Sequence, residues 1–354
     1  METEQLVQRL LEKAAAQNIS DIHLMPDGAD YHCYFRRNGQ LEPDRRLTEE
    51  EGRRVISYLK FRGNMDVGEK RRPQSGSAIM TVNDVPKDLR FSTMTNFRQE
   101  ESLVIRLLSK ADQLDLDQHT FFQREVDQMK RLVQYKSGLL LFSGSVGSGK
   151  TTTMYHLVRQ YAVQDQQQVI TVEDPVEMEE PSFLQCQVNE KAGIYFETLL
   201  KSSLRHHPDI LIVGEIRDEE TAKMVIRGAL TGHLILASVH AKNAEGVVER
   251  LVELGISQNL LRQTVLGIVF QKLLPRSCPF CEEACSVYCR HLNMEQKRAA
   301  LYDVWEGERL DRLLMEDLET KVHGTGSTSF NTLLRRAWAY GYISHTTYHT
   351  YRIP

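Results

Sequence analysis

The run Gly144-Ser145-Val146-Gly147-Ser148-Gly149-Lys150-Thr151 constrains this chain more than any other stretch. It fills every fixed place of the phosphate-binding pattern G-x-x-x-x-G-K-[ST]. Its surroundings agree. Residues 139–142 are wholly apolar and read as a buried strand; Met154, Leu157, Val158 and Tyr161 then recur at i, i+3, i+4 and i+7, the spacing of one helix face. A strand, a glycine-rich turn and a helix in that order direct backbone N–H groups inward at a positive helix end, where phosphate oxygens are held. Lys150 is expected to meet the β- and γ-phosphates and Thr151 to offer its hydroxyl to Mg²⁺, with Thr152 the last residue of the binding segment. The expected ligand is a nucleoside triphosphate, ATP with Mg²⁺.

A length of 354 residues predicts two domains, because one core rarely grows past about 250–300 residues. Residues 1–107 read as a small α+β domain. It opens with a helix carrying Val7, Leu10, Leu11 and Ala14 on one face, and a second helix is announced by Thr48 and Glu51 in capping-box spacing. Residues 108–117, polar and rich in aspartate, read as a linker. The pattern then changes. In 118–274 the short apolar runs 139–142, 169–172, 210–213 and 234–239 alternate with helical stretches, which predicts a parallel sheet covered on both faces. Residues 275–354 hold a cysteine cluster and a largely helical tail. No run of about 18 apolar residues occurs, and the polar start Met1-Glu2-Thr3-Glu4-Gln5 does not fit a signal peptide. A cytoplasmic location follows as the expectation, with membrane attachment through a partner. The net charge of −4 weighs against wholesale nucleic-acid binding.

Three further clusters fall at predicted strand ends, where open α/β sheets bind their ligands. In Thr171-Val172-Glu173-Asp174-Pro175-Val176-Glu177, three carboxylates could hold Mg²⁺ waters or orient an attacking water. In Ile210-Leu211-Ile212-Val213-Gly214-Glu215, glycine occupies the usual aspartate place of a Walker B strand, leaving Glu215 to polarise the nucleophilic water. His233 and His240 bracket the run 234–239, and both are candidates to sense a γ-phosphate. Arg71, Arg72, Arg90 and Arg106 lie in the N-terminal domain, as arginines that could neutralise transition-state charge.

Cys278, Cys281, Cys285 and Cys289 form C-x₂-C-x₃-C-x₃-C. Four thiolates suit a closed structural Zn²⁺ site, although the short spacing also leaves an iron–sulfur cluster or a vestigial site open. Cys33 and Cys186 read as ordinary buried thiols.

Taken in order, the phosphate loop, the acidic box 173–177, Gly214-Glu215 and the box ending at His240 resemble the hexameric ATPases that drive type II secretion and type IV pili. Ser20-Asp21-Ile22-His23, Arg71-Arg72-Pro73-Gln74 and the stretch 90–106 extend the resemblance through the N-terminal domain. The resemblance implies a RecA-like P-loop ATPase domain preceded by a small PAS-like α+β domain, assembled as a homohexamer. It gives catalytic roles to Glu215, Glu173, His240, Arg90 and Arg106, and a polytopic inner-membrane platform protein as partner, with no direct DNA contact. A short chain that nonetheless carries the cysteine cluster resembles the competence-pilus members of Gram-positive bacteria, which serve DNA uptake in transformation. Residues 335–344 resemble assembly rather than retraction members. Two positions depart from the family pattern: Asn38 replaces an aspartate in a turn, and Ala237 replaces a hydroxyl residue in the histidine box. The alternatives are the ATPase of a secretion or other pilus system, a P-loop nucleic-acid translocase, and a regulator that binds nucleotide without turnover.

Overall fold

The computed structural model describes residues 2–17, 19–37, 40–107, 116–281, 291, 297–315 and 329–353. The chain divides into two compact units, residues 1–110 and 111–354.

In the N-terminal unit, α1 (Glu2–Ala16) is followed by β1 (Asp21–Asp27), β2 (Asp30–Arg37), β3 (Gln40–Thr48), α2 (Glu49–Arg62), β4 (Gln74–Val82), β5 (Val85–Thr95) and β6 (Glu101–Leu107). The six strands form one antiparallel sheet in the order β3-β2-β1-β6-β5-β4. Both helices turn apolar stripes into its core: Val7, Leu10, Leu11 and Ala14 from α1, and Val55, Ile56 and Leu59 from α2. The predicted capping box is formed, with the Thr48 N–H donating to Glu51 Oε2 at 2.9 Å and the Glu51 N–H to Thr48 Oγ1 at 3.3 Å. Asn38 lies outside the described residues.

The second unit runs α3 (Gln123–Leu132), β7 (Gly138–Ser143), α4 (Lys150–Gln164), β8 (Val169–Glu173), β9 (Leu184–Gln187), α5 (Phe196–Arg205), β10 (Ile210–Val213), α6 (Glu219–Leu230), β11 (Leu234–Val239), α7 (Ala244–Glu253), α8 (Gln258–Thr264), β12 (Val265–Pro275), β13 (Arg298–Trp305), α9 (Gly307–Met315), α10 (Ser329–Ala339) and α11 (His345–Tyr351). Its sheet has the order β13-β12-β7-β11-β10-β8-β9. All neighbours are parallel except β12 and β13. The uninterrupted apolar runs have a physical reason. Leu139 and Leu141 enter one core, while Leu140 and Phe142 enter a second on the opposite face, so neither side of β7 meets water. The expected helical tail needs one correction: its residues 298–305 form β13, buried along both faces and paired to β12, and close one edge of the sheet.

Candidate nucleotide site

The parallel register places four strand ends side by side. Ser143 lies opposite Val239, Ala237 opposite Val213, and Val213 opposite Val172. The phosphate loop, the acidic box, Glu215 and His240 therefore emerge at one edge, the ligand edge of an open α/β sheet.

Gly149 caps α4 with φ 86°, a left-handed conformation that favours glycine. Val146 stands at the solvent-facing crest of the loop. Lys150 Nζ donates to the carbonyls of Gly144 at 2.9 Å and Ser145 at 3.3 Å. Burial lowers its pKa, and the carboxylates of Glu215 and Glu177 oppose that shift. The Thr151 hydroxyl donates to Glu177 Oε2 at 3.3 Å, and Thr152 Oγ1 faces Met178 Sδ at 3.8 Å.

The three acids of the box after β8 separate into distinct roles. Glu173 is buried and accepts hydrogen bonds from Thr171 Oγ1 at 2.6 Å and from the Tyr155 hydroxyl. Burial pushes its carboxyl above the ordinary range. Asp174 pairs with Arg217 at 3.1 Å, and Glu177 reaches Thr151 in the first turn of the phosphate-loop helix. Glu173 is thus enclosed among protein groups.

Glu215 is bracketed by two cations or potential cations. Arg217 Nε donates to Oε2 at 2.5 Å, and His240 Nε2 lies 3.2 Å from Oε1. These contacts hold the carboxylate at the sheet edge, and the Glu215 hydrogen bond raises the Arg217 pKa further. Glycine at 214 also has a local cause. A Cβ there would stand 3.2 Å from the Val172 carbonyl and 3.3 Å from Glu173 Cα, so the strand-end acid of β8 occupies the space. Ala237 is buried in the apolar core and offers no hydroxyl, while on the opposite face of the strand Ser238 Oγ donates to the Gly214 carbonyl.

His233 is a correction. It precedes β11, and its carbonyl accepts from the Gly138 N–H at the start of β7, so it sits at the opposite end of the strands from the phosphate loop. Its ring stacks on His207, a structural contact. Arg90 and Arg106 belong to the N-terminal unit, where they face each other across β5 and β6; Arg106 Nε donates to Asp21 Oδ1 at 2.9 Å.

Oxygen donors at Thr151 and Glu177 suit Mg²⁺, a hard cation that keeps several waters. Near the end of β12, Cys278 Sγ and Cys281 Sγ lie 3.6 Å and 3.4 Å from His291 Nδ1. The three ligand atoms fall within 4.8 Å of one another. Adjacent S and N ligands of a tetrahedral zinc stand about 3.5 Å apart, given the usual bond lengths, so the set fits that metal. His291 was missed from the sequence; the only available signal was a histidine ten residues past Cys281. Cys285 and Cys289 lie outside the described residues. Cys186 is half-buried, more open than expected for a core thiol.

A parallel sheet that gathers a phosphate loop, an oxygen-ligand set and a clamped strand-end glutamate defines a P-loop ATPase. Residues 2–337 match the type II/IV secretion system protein family, and the chain belongs to it. It is an ATP hydrolase of the secretion ATPase group. The competence protein ComGA of Bacillus subtilis is 39% identical over 346 residues, covering 98% of this chain and 96% of the relative. ComGA of Streptococcus pneumoniae is 41% identical over 272 residues, 77% of this chain and 84% of that one. Among solved structures, the Legionella pneumophila ATPase DotB shares the fold with a TM-score of 0.72 at 20% identity, covering 98% of this chain and 94% of its own.

Proposed function

We propose that this chain is the motor ATPase that assembles a competence pilus, a type IV-like fibre serving DNA uptake in transformation. The observation that carries the reading is the end-to-end correspondence with a protein named for competence, 39% identical across 98% of this chain. The site chemistry agrees with a motor that turns over. Lys150 and the loop amides hold the phosphates, Thr151 and Glu177 hold Mg²⁺ and its waters, and Glu215 orients the attacking water. His240 and Arg217 keep the Glu215 carboxylate aimed. Glu173 acts from beneath, fixing the strand ends rather than touching the metal. Arg90 and Arg106 supply positive charge to the phosphates within a homohexamer, and hydrolysis passes motion to a polytopic membrane platform protein. Zinc at Cys278, Cys281 and His291 is structural. Among the described residues no helix is long and apolar enough to cross a membrane, consistent with attachment through that partner.

Transformation frequency in the native host carrying Glu215→Gln at the chromosomal locus tests the reading. A loss of about two orders of magnitude or more, at normal growth and protein level, is the expected result. Unchanged transformation with the same variant shown to be inactive in vitro overturns the competence assignment and leaves a secretion or other pilus system. Salt-dependent binding of single-stranded DNA by the purified chain would instead favour a translocase.

A further inference from the structure

The phosphate loop rests on β12, and one side chain of that strand reaches into it. Gln271 is fully buried, and its Nε2 donates to the Ser148 carbonyl at 2.7 Å. Its own backbone carbonyl lies 2.3 Å from where a Cβ on Gly144 would stand, so loop and strand are in direct contact at both ends of the turn. The residue opposite Gln271 on β13 is Tyr302. Its hydroxyl meets Thr153 Oγ1 at 3.1 Å in a buried bond. Two neighbouring positions on an antiparallel pair thus grip the loop just before Lys150 and the helix just after it.

Gln271 is not an ordinary core residue. Its Oε1 and the Ser148 hydroxyl are both buried with no hydrogen-bond partner among the described residues. A methionine would fill a similar volume without leaving a buried amide oxygen unsatisfied. What the amide supplies is direction. In a trans peptide the C=O and the following N–H point opposite ways. Drawing the Ser148 carbonyl down onto Gln271 turns the Gly149 N–H up, toward the side of the loop where phosphate oxygens bind.

We propose that Gln271 is a positioning residue for phosphate binding, setting the Ser148–Gly149 peptide so that its N–H faces the nucleotide, with Tyr302 holding the helix at the matching height. The proposal rests on the phosphate-loop reading and deepens it. A neutral amide suits the place. A carboxylate there could donate no bond to the Ser148 carbonyl and would set a negative charge under an anion site.

The test uses the full chain and measures the affinity for Mg²⁺–ADP and the KM and kcat for ATP. Gln271→Met is expected to weaken ADP binding and raise KM about tenfold, with kcat at saturating ATP changed much less. Gln271→Glu, which keeps the shape, can donate to the Ser148 carbonyl only when protonated. Its deficit relative to the parent chain is expected to shrink as pH falls from about 8 to about 5.5. Wild-type ADP affinity and KM in Gln271→Met overturn the proposal, as does a Gln271→Glu deficit that is the same at every pH. Should Gln271→Met fail to fold, the pH profile of Gln271→Glu decides alone. Lys150→Ala serves as the separate control: if it binds nucleotide like the parent, the phosphate-loop reading fails first.

Discussion

Glu173 shows how one residue type divides its work by environment. The side chain sits under the sheet edge, takes hydrogen bonds from Tyr155 and Thr171, and has its carboxyl raised chiefly by burial. The sign of the consequence is definite. Between the ordinary value of 4.5 and the raised folded value, the folded chain holds more protons than the unfolded one, so stability falls as pH rises through that window. Glu173→Gln keeps the acceptor and removes the ionisation. The variant's Tm minus the parent's Tm should therefore grow as pH increases from about 4.5 toward neutrality. A difference that stays flat would show that Glu173 ionises as an exposed carboxylate does. Arg217, by contrast, lies two residues past Glu215 and was readable as a neighbour, but its bridge to Asp174 joins two different strand ends.

At the scale of elements, the turn between β7 and α4 is constrained at two glycines of different kinds. Gly144 has φ 148°, and a Cβ there would collide with the Gln271 carbonyl at 2.3 Å and approach Ser148 Oγ at 2.8 Å. Gly147, φ 74°, has nothing within 4 Å of its would-be Cβ. Both positions are strained for an L side chain, but only the first must also move backbone. Gly144→Ala is expected to cost about 1–3 kcal/mol in unfolding free energy and to abolish measurable ADP binding, whereas Gly147→Ala keeps most of the stability. Urea unfolding and nucleotide titration of the pair check this; equal losses would mean that the β12 contact is unimportant. Boundaries such as the Thr48–Glu51 cap were readable because the signal and its partner lie three residues apart.

Across the whole molecule, two units with separate cores share one chain, and the metal-ligand cluster belongs to the chain segment that connects β12 to β13. The purified protein is expected to carry about one zinc per chain by elemental analysis, with Cys278→Ser and His291→Ala each lowering that content severalfold. Full zinc in His291→Ala, together with loss in Cys285→Ser and Cys289→Ser, would restore the four-cysteine set read from spacing alone. Treating the protein with a chelator should lower its thermal stability if the site is structural, because bound metal stabilises only the folded form.

The amino-acid order by itself determined the phosphate loop, the strands that flank it, the succession of chemical boxes and the family they resemble. Each of these is written in contiguous residues or in a short period, and local sterics and burial enforce them. Which box residues meet was decided only by the tertiary structure. Glu177 on Thr151, Arg217 between Glu215 and Asp174, Tyr155 on Glu173 and Gln271 under Ser148 join segments 18 to 123 residues apart, or separate strand ends, that only the strand order brings together. His233 leaves the site on a rule that chain order already carries: it precedes its strand, His240 follows it, and parallel strands gather ligands at their carboxyl ends.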